Sequence, residues 1–179
     1  MGDRPTLLLM TGPPATGKST LAEAAARTLG GAVLAWDWVM AGMTRFDGIQ
    51  AALREMDRRA HRSVGWSILW NLAVAQLRQG RSVVLDGTAR DPEVGGTRRT
   101  AAATGARCVV AVTSCRDVAV HRDRVEGRVR GIPGWHELDW DHVSGFLARW
   151  QPPRGDVCLD ATDPLTENIA ALEDVLRPA

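Results

Sequence analysis

The chain has 179 residues, is 45% hydrophobic and 24% charged, and carries a formal net charge of +1. That length suits one domain with a sizeable core. The charge balance lacks the basic excess of a polyanion-coating protein, and no apolar stretch reaches bilayer-spanning length.

The first predicted element is the apolar run Thr6-Leu-Leu-Leu-Met-Thr11, read as a buried strand. Ahead of it, Met1 to Thr6 fits a short and common acylation pattern, while the basic and apolar regions of a secretion signal are missing. The strand leads into Gly12-Pro13-Pro14-Ala15-Thr16-Gly17-Lys18-Ser19, a complete G-x-x-x-x-G-K-[ST] phosphate-binding loop. An Ala-rich helix follows over about residues 18–29, and Gly30-Gly31 closes it. Between a strand and a helix, such a loop wraps phosphate in backbone N–H groups, and the helix N-terminus adds partial positive charge. Lys18 is expected to reach the β/γ oxygens and the Ser19 hydroxyl to ligate Mg²⁺, with Thr20 completing the nucleotide-binding stretch. The pattern predicts a nucleoside triphosphate site.

A short second strand, residues 32–35, gives out at Trp36-Asp37-Trp38. In open α/β sheets, ligands gather beyond the carboxyl ends of the strands. A carboxylate there suits phosphoryl transfer to an alcohol, because it orients the hydroxyl and takes its proton. Asp37 is therefore the candidate base, and a helix N-cap is the alternative use of the same residue. Trp36 or Trp38 would wall an acceptor pocket, and Arg45 is near enough in sequence to hold an anionic or hydroxylated acceptor.

Apolar residues Ala52, Met56, Ala60, Val64, Ile68, Leu72 and Ala75 predict a long helical region over about 49–79, buried on that face and broken near Gly65. Ser82 to Asp86 reads as the next strand. An acidic residue at its end is the usual second half of such a site, so Asp86 joins Ser19 as a candidate Mg²⁺ ligand. Thr88 and Arg90 either continue into an acceptor site or form a plain turn. A helix over about 92–103 and a strand over 107–113 follow.

The segment 116–130 is rich in arginine. Arg124 and Arg128 lie four apart, which on one continuous helix over 117–130 places both on one face. Paired guanidiniums suit the charge of a transferring phosphoryl group, and Gly131-Ile132-Pro133-Gly134 supplies the break expected of a lid. A solvated charged helix is the alternative. A helix over about 139–150, a strand over 157–160 and a helix over about 164–176 complete the alternation, which favours a parallel sheet covered on both faces.

The three cysteines show neither CxxC pairing nor zinc spacing. Cys108 and Cys158 read as small core residues, and an odd count fits a reducing, cytoplasmic setting. His61, His121, His136 and His142 lack metal spacing and read as surface or pocket residues. Seven tryptophans are too many for the core alone, so the stretches 63–70 and 133–140 form either core or a pocket for a ring-containing molecule.

The loop at Gly12 to Ser19, Asp37 after the second strand, the Val-Val-Leu-Asp86-Gly-Thr88 segment and Arg124-x-x-x-Arg128 together resemble the small P-loop kinases of the chloramphenicol phosphotransferase and zeta-toxin type, a group that includes polynucleotide-kinase-like and gluconate-kinase-like enzymes. The resemblance spans nearly the whole chain. It implies an α/β single-domain fold over residues 1–179, with a five-stranded parallel sheet in the order 2-3-1-4-5, flanking helices and an arginine-rich lid at about 116–136. It implies ATP and Mg²⁺ as cofactors, Asp37 as base, and Arg124 and Arg128 on nucleotide phosphates or base. The expected reaction moves the γ-phosphate to a hydroxyl of a small molecule, such as an antibiotic, a sugar or a nucleoside-like metabolite. A polynucleotide 5′-hydroxyl kinase and a regulatory ATPase without an acceptor remain the other readings.

Overall fold

The computed structural model describes residues 4–177; the acylation pattern at Met1-Gly2-Asp3 lies outside them. The chain alternates β1 (Thr6–Thr11), α1 (Lys18–Leu29), β2 (Ala32–Ala35), α2 (Trp36–Met43), α3 (Asp47–Glu55), α4 (Arg58–Leu77), β3 (Val83–Asp86), α5 (Asp91–Thr104), β4 (Arg107–Ser114), α6 (Val118–Glu126), α7 (Trp140–Leu147), β5 (Val157–Asp160) and α8 (Leu165–Leu176).

All strand pairings are parallel, in the order β2-β3-β1-β4-β5. This is the architecture the resemblance implies. β1 is central and wholly buried, so its side chains feed both faces. Leu7 and Leu9 pack with Val83, Leu85, Val110 and Val112 against Trp66, Leu69, Ala73 and Leu77 of α4 and Val94 and Ala101 of α5. Leu8 and Met10 pack with Val84, Val109 and Ala111 on the other face, against Leu21, Ala22 and Ala25 of α1 and Leu172 and Leu176 of α8. The register Leu9↔Leu85 and Met10↔Asp86 brings the ends of β1 and β3 level, so the phosphate loop and Asp86 emerge side by side.

The helical region after β2 differs from its sequence reading in three ways. First, α2 begins directly at Trp36. Second, the break falls at Met56-Asp57, where the Asp57 carboxylate accepts from the Arg59 and Ala60 amides at 2.8 Å and opens α4. These same amides hold the Asp57 carboxyl below its ordinary range. Third, Gly65 is buried inside α4, where a Cβ would collide with the Trp36 indole.

The buried stripe of α4 is Gly65, Trp66, Leu69, Ala73 and Leu77, one position on from the expected one. Leu72 is 44% exposed. The bulk of Trp66 and the close approach that Gly65 allows decide which way the helix faces. Of the cysteines, Cys158 is exposed rather than core, since β5 is an edge strand. Among the described residues no helix is long and apolar enough to cross a membrane.

Candidate active site

Gly12 leaves β1 with φ 152°, and any Cβ on it would run into the Thr113 hydroxyl and carbonyl. Gly17 caps α1 at φ 82°, a conformation glycine adopts without penalty. Between them Ala15 is held at φ 60°, the one non-glycine residue with positive φ among the described residues.

Side chains brace the loop from three sides. Thr88 donates to the Gly12 carbonyl at 3.0 Å. Thr16 donates to the Pro13 carbonyl at 2.7 Å, and its hydroxyl lies 2.6 Å from that of Thr113. Lys18 Nζ donates to the Pro13 carbonyl at 2.6 Å. Braced in this way, the loop presents its remaining amides at the N-terminus of α1.

The Ser19 hydroxyl donates to Asp86 Oδ2 at 2.7 Å. Asp86 is buried at the end of β3, and burial raises its pKa, although Lys18 and the Ser19 hydrogen bond pull it down. Burial also lowers the Lys18 ammonium from 10.5 to about 8, against the attraction of Asp86 and with the help of Arg128. Two hard oxygen donors, one of them a desolvated carboxylate, are a donor set that fits Mg²⁺. Among the described residues no group of three or more His, Cys, Asp or Glu side chains gathers for a metal, so a cation here would complete its shell with water and phosphate oxygens.

Asp37 lies in the first turn of α2, and the N-cap is Ala35, so Asp37 does not cap the helix. Its carboxylate forms an ion pair with Arg130, whose side chain is 13% exposed. Arg128 lies in the same field: burial lowers its pKa, Arg130 lowers it further, and Asp37 and Asp86 act in the opposite sense.

The expected single helix carrying Arg124 and Arg128 on one face is not formed. α6 ends at Glu126 with Gly127 as its cap, because the Gly127 amide returns to the Asp123 and Val125 carbonyls. Arg124 stays on the helix and donates to the Ala161 carbonyl at 2.7 Å, in the turn after β5. Arg128 and Arg130 follow in irregular chain, and they reach the Lys18–Asp37–Asp86 cluster separately from Arg124.

Two further residues did not stand out in the sequence. Arg130 was one arginine of a run, and nothing local says which of them turns inward once the helix stops. His121, expected at a surface or pocket, is buried, with Nε2 2.7 Å from the Pro14 carbonyl. Arg45 is exposed in the turn between α2 and α3, and Arg90 precedes α5, its amide donating to Glu93 at 2.8 Å. Glu93 also pairs with Arg62 of α4 at 2.9 Å, which locks α5 onto α4 beside Trp36, itself bonded to the Arg62 carbonyl.

A cleft of about 370 Å³ opens beside Ser19 and Asp86, with Val33, Val39 and the exposed Trp38 as apolar walls and Arg130 as a cationic one. Trp36 meets Trp135 edge-on at 6.0 Å, joining α2 to the chain after the arginine segment. A wider cleft of about 970 Å³, beside Arg4, Ser82 and Arg107, lies at the opposite ends of the strands, away from these groups.

A phosphate loop, a hydroxyl–carboxylate pair and a separate carboxylate under guanidiniums, all beyond the C-terminal edge of a 2-3-1-4-5 sheet, define a P-loop kinase fold. Comparison with known proteins places it further. Residues 7–153 match the AAA domain family, and the chain belongs to that family. An uncharacterized protein of Mycobacterium tuberculosis is 30% identical over 129 residues, covering 70% of this chain and 26% of that protein, so the chain spans about a quarter of the length of such relatives. A sugar kinase from Janibacter superposes with TM-score 0.69 at 16% identity, covering 97% of this chain and 95% of that one. A gluconokinase from Sinorhizobium meliloti superposes with TM-score 0.67 at 18% identity, covering 96% and 93%. At these identities the likeness is one of fold.

Proposed function

We propose that this chain is a kinase that transfers the γ-phosphoryl group of Mg·ATP to a hydroxyl of a small molecule. The observation that carries the reading is the ion pair of Asp37 with Arg130 in the field of Lys18 and Asp86. It supports a carboxylate that faces the phosphate-loop cluster, where an acceptor hydroxyl would lie, rather than a capping residue. The fold-neighbours that are sugar and gluconate kinases support the same class of acceptor. The order of elements and the arginine-rich segment support a place near the chloramphenicol phosphotransferase and zeta-toxin-like group, with the 116–136 segment acting as a lid.

In this mechanism the amides of the 12–19 loop and Lys18 hold the β- and γ-phosphates, and Ser19 and Asp86 would hold Mg²⁺. Bound there, Mg²⁺ would neutralise charge on the terminal phosphates. Asp37 orients the acceptor hydroxyl and takes its proton as the oxygen attacks phosphorus. Arg128 and Arg130 balance the charge that spreads over the transferring group, as guanidiniums do. Arg124, anchored on Ala161, holds α6 against the turn after β5.

The reading is tested by incubating the protein with Mg·ATP and a metabolite library and looking by mass spectrometry for an acceptor that gains phosphate. Asp37→Asn is expected to lower kcat on that acceptor by about 10²–10⁴-fold, the usual worth of a general base, and to leave the Kd for nucleotide within about twofold. Equal turnover by the variant would remove Asp37 from the chemistry.

A further inference from the structure

His121 is 2% exposed and sits on α6, outside the loop and outside the group of charges around Lys18. Its Nε2 lies 2.7 Å from the carbonyl oxygen of Pro14. A carbonyl only accepts, so Nε2 carries the hydrogen and donates it. The ring is set from the other side by Trp140 at the start of α7, edge-on at 5.6 Å. α6 is capped by the Asp117 carboxylate, which takes the Ala119 and Val120 amides, and its position is fixed independently through Arg124 on the Ala161 carbonyl.

The loop sequence makes this bond matter. Residues 13 and 14 are both proline, so neither offers an N–H. The first amide after Gly12 that can face a phosphate belongs to Ala15. Among the described residues no peptide is cis, so the Ala15 N–H points opposite to the Pro14 carbonyl. Holding that carbonyl toward α6 turns the amide away from α6. Ala15 is also the residue at φ 60°, which an alanine does not hold without outside support.

We propose that His121 is a positioning residue of the phosphate loop. By donating to the Pro14 carbonyl it orients the first usable amide of the loop and keeps Ala15 in its left-handed conformation. The site thereby couples α6, at the root of the arginine segment, to phosphate binding. The proposal rests on the reading of this loop as a nucleotide site.

The test measures ADP binding by calorimetry in the full chain and in His121→Phe, His121→Gln and the double variant His121→Phe with Ala15→Gly. Phe keeps an aromatic ring against Trp140 and removes the donor; if it proves too large to fold, His121→Met removes the donor in a slimmer shape. The donor-less variant is expected to bind ADP about tenfold more weakly. Gln restores an N–H of similar reach and is expected to bind within about threefold of the natural chain. Glycine takes a positive φ freely, so Ala15→Gly is expected to recover most of the affinity lost in the donor-less background.

A folded donor-less variant with unchanged ADP affinity overturns the proposal. Loss that neither Gln nor Ala15→Gly repairs also overturns it, because that pattern marks mere packing. A natural chain that binds no ADP at all overturns the nucleotide reading and the proposal with it.

Discussion

Raising the pH above 8 titrates Lys18 inside the folded protein. Burial brings its ammonium from 10.5 to about 8; Asp86 resists that fall, and Arg128 and Arg130 add to it. The folded value lies below the unfolded one. The neutral amine therefore favours the fold at pH above 10.5, and that contribution is lost as the pH falls through 8.

Nucleotide binding has the opposite sign, since an anionic ligand selects the ammonium. Above pH 8 the nucleotide phosphates are already ionised, so Lys18 is the group left to take up a proton. Affinity should then fall about tenfold per pH unit above a pKa of about 8, or about thirtyfold between pH 7 and 9.5. The assay is calorimetric titration with ADP across that range, repeated at pH 9 in two buffers of different ionisation enthalpy. Proton uptake approaching one per ADP is expected at pH 9. In Lys18→Arg the guanidinium stays charged, and the pH dependence should vanish. A flat Kd to pH 9.5, or binding without proton uptake, refutes the assignment of Lys18 as a desolvated ammonium facing the phosphates.

Burial raises the Asp86 pKa, so at neutral pH its ionised form is a cost to the fold. Asp86→Asn should leave the melting temperature of the free protein unchanged or raise it by about 2–4 °C, and should lower Mg²⁺-dependent transfer by roughly 10²–10³-fold. A clear fall in melting temperature would show instead that the pair with Ser19 is net stabilising. On α4, Leu69→Ala should cost about 2–5 kcal/mol in chemical denaturation, since Leu69 is 0% exposed and packs under β1 and β3. Leu72→Ala, at 44% exposure, should stay within about 0.5 kcal/mol. Equal losses at both positions would contradict the observed rotation of the helix.

The elements built from local signals were legible in the chain. Four-residue strands such as Val83–Asp86 and Val157–Asp160 announce themselves as apolar runs ending in aspartate. Gly30 marks the end of α1 because it sits at φ 58°. α4 carries two apolar stripes at helical spacing, Val64-Ile68-Leu72 and Trp66-Leu69-Ala73-Leu77, so periodicity alone does not say which faces the sheet; the bulk of Trp66 and the close contact at Gly65 decide it.

The phosphate loop and its Ser19–Asp86 partnership belong to the sequence itself. Gly12 and Gly17 supply the backbone freedom the loop needs, and an apolar strand that ends in aspartate delivers its carboxylate to the same edge of a parallel sheet. Which arginine meets Asp37, and that a histidine from α6 holds Pro14, was decided only when the chain folded. Those contacts join residues 93 and 107 positions apart. They depend on where α6 stops and how the following turns pack, and a linear pattern does not encode geometry at that range.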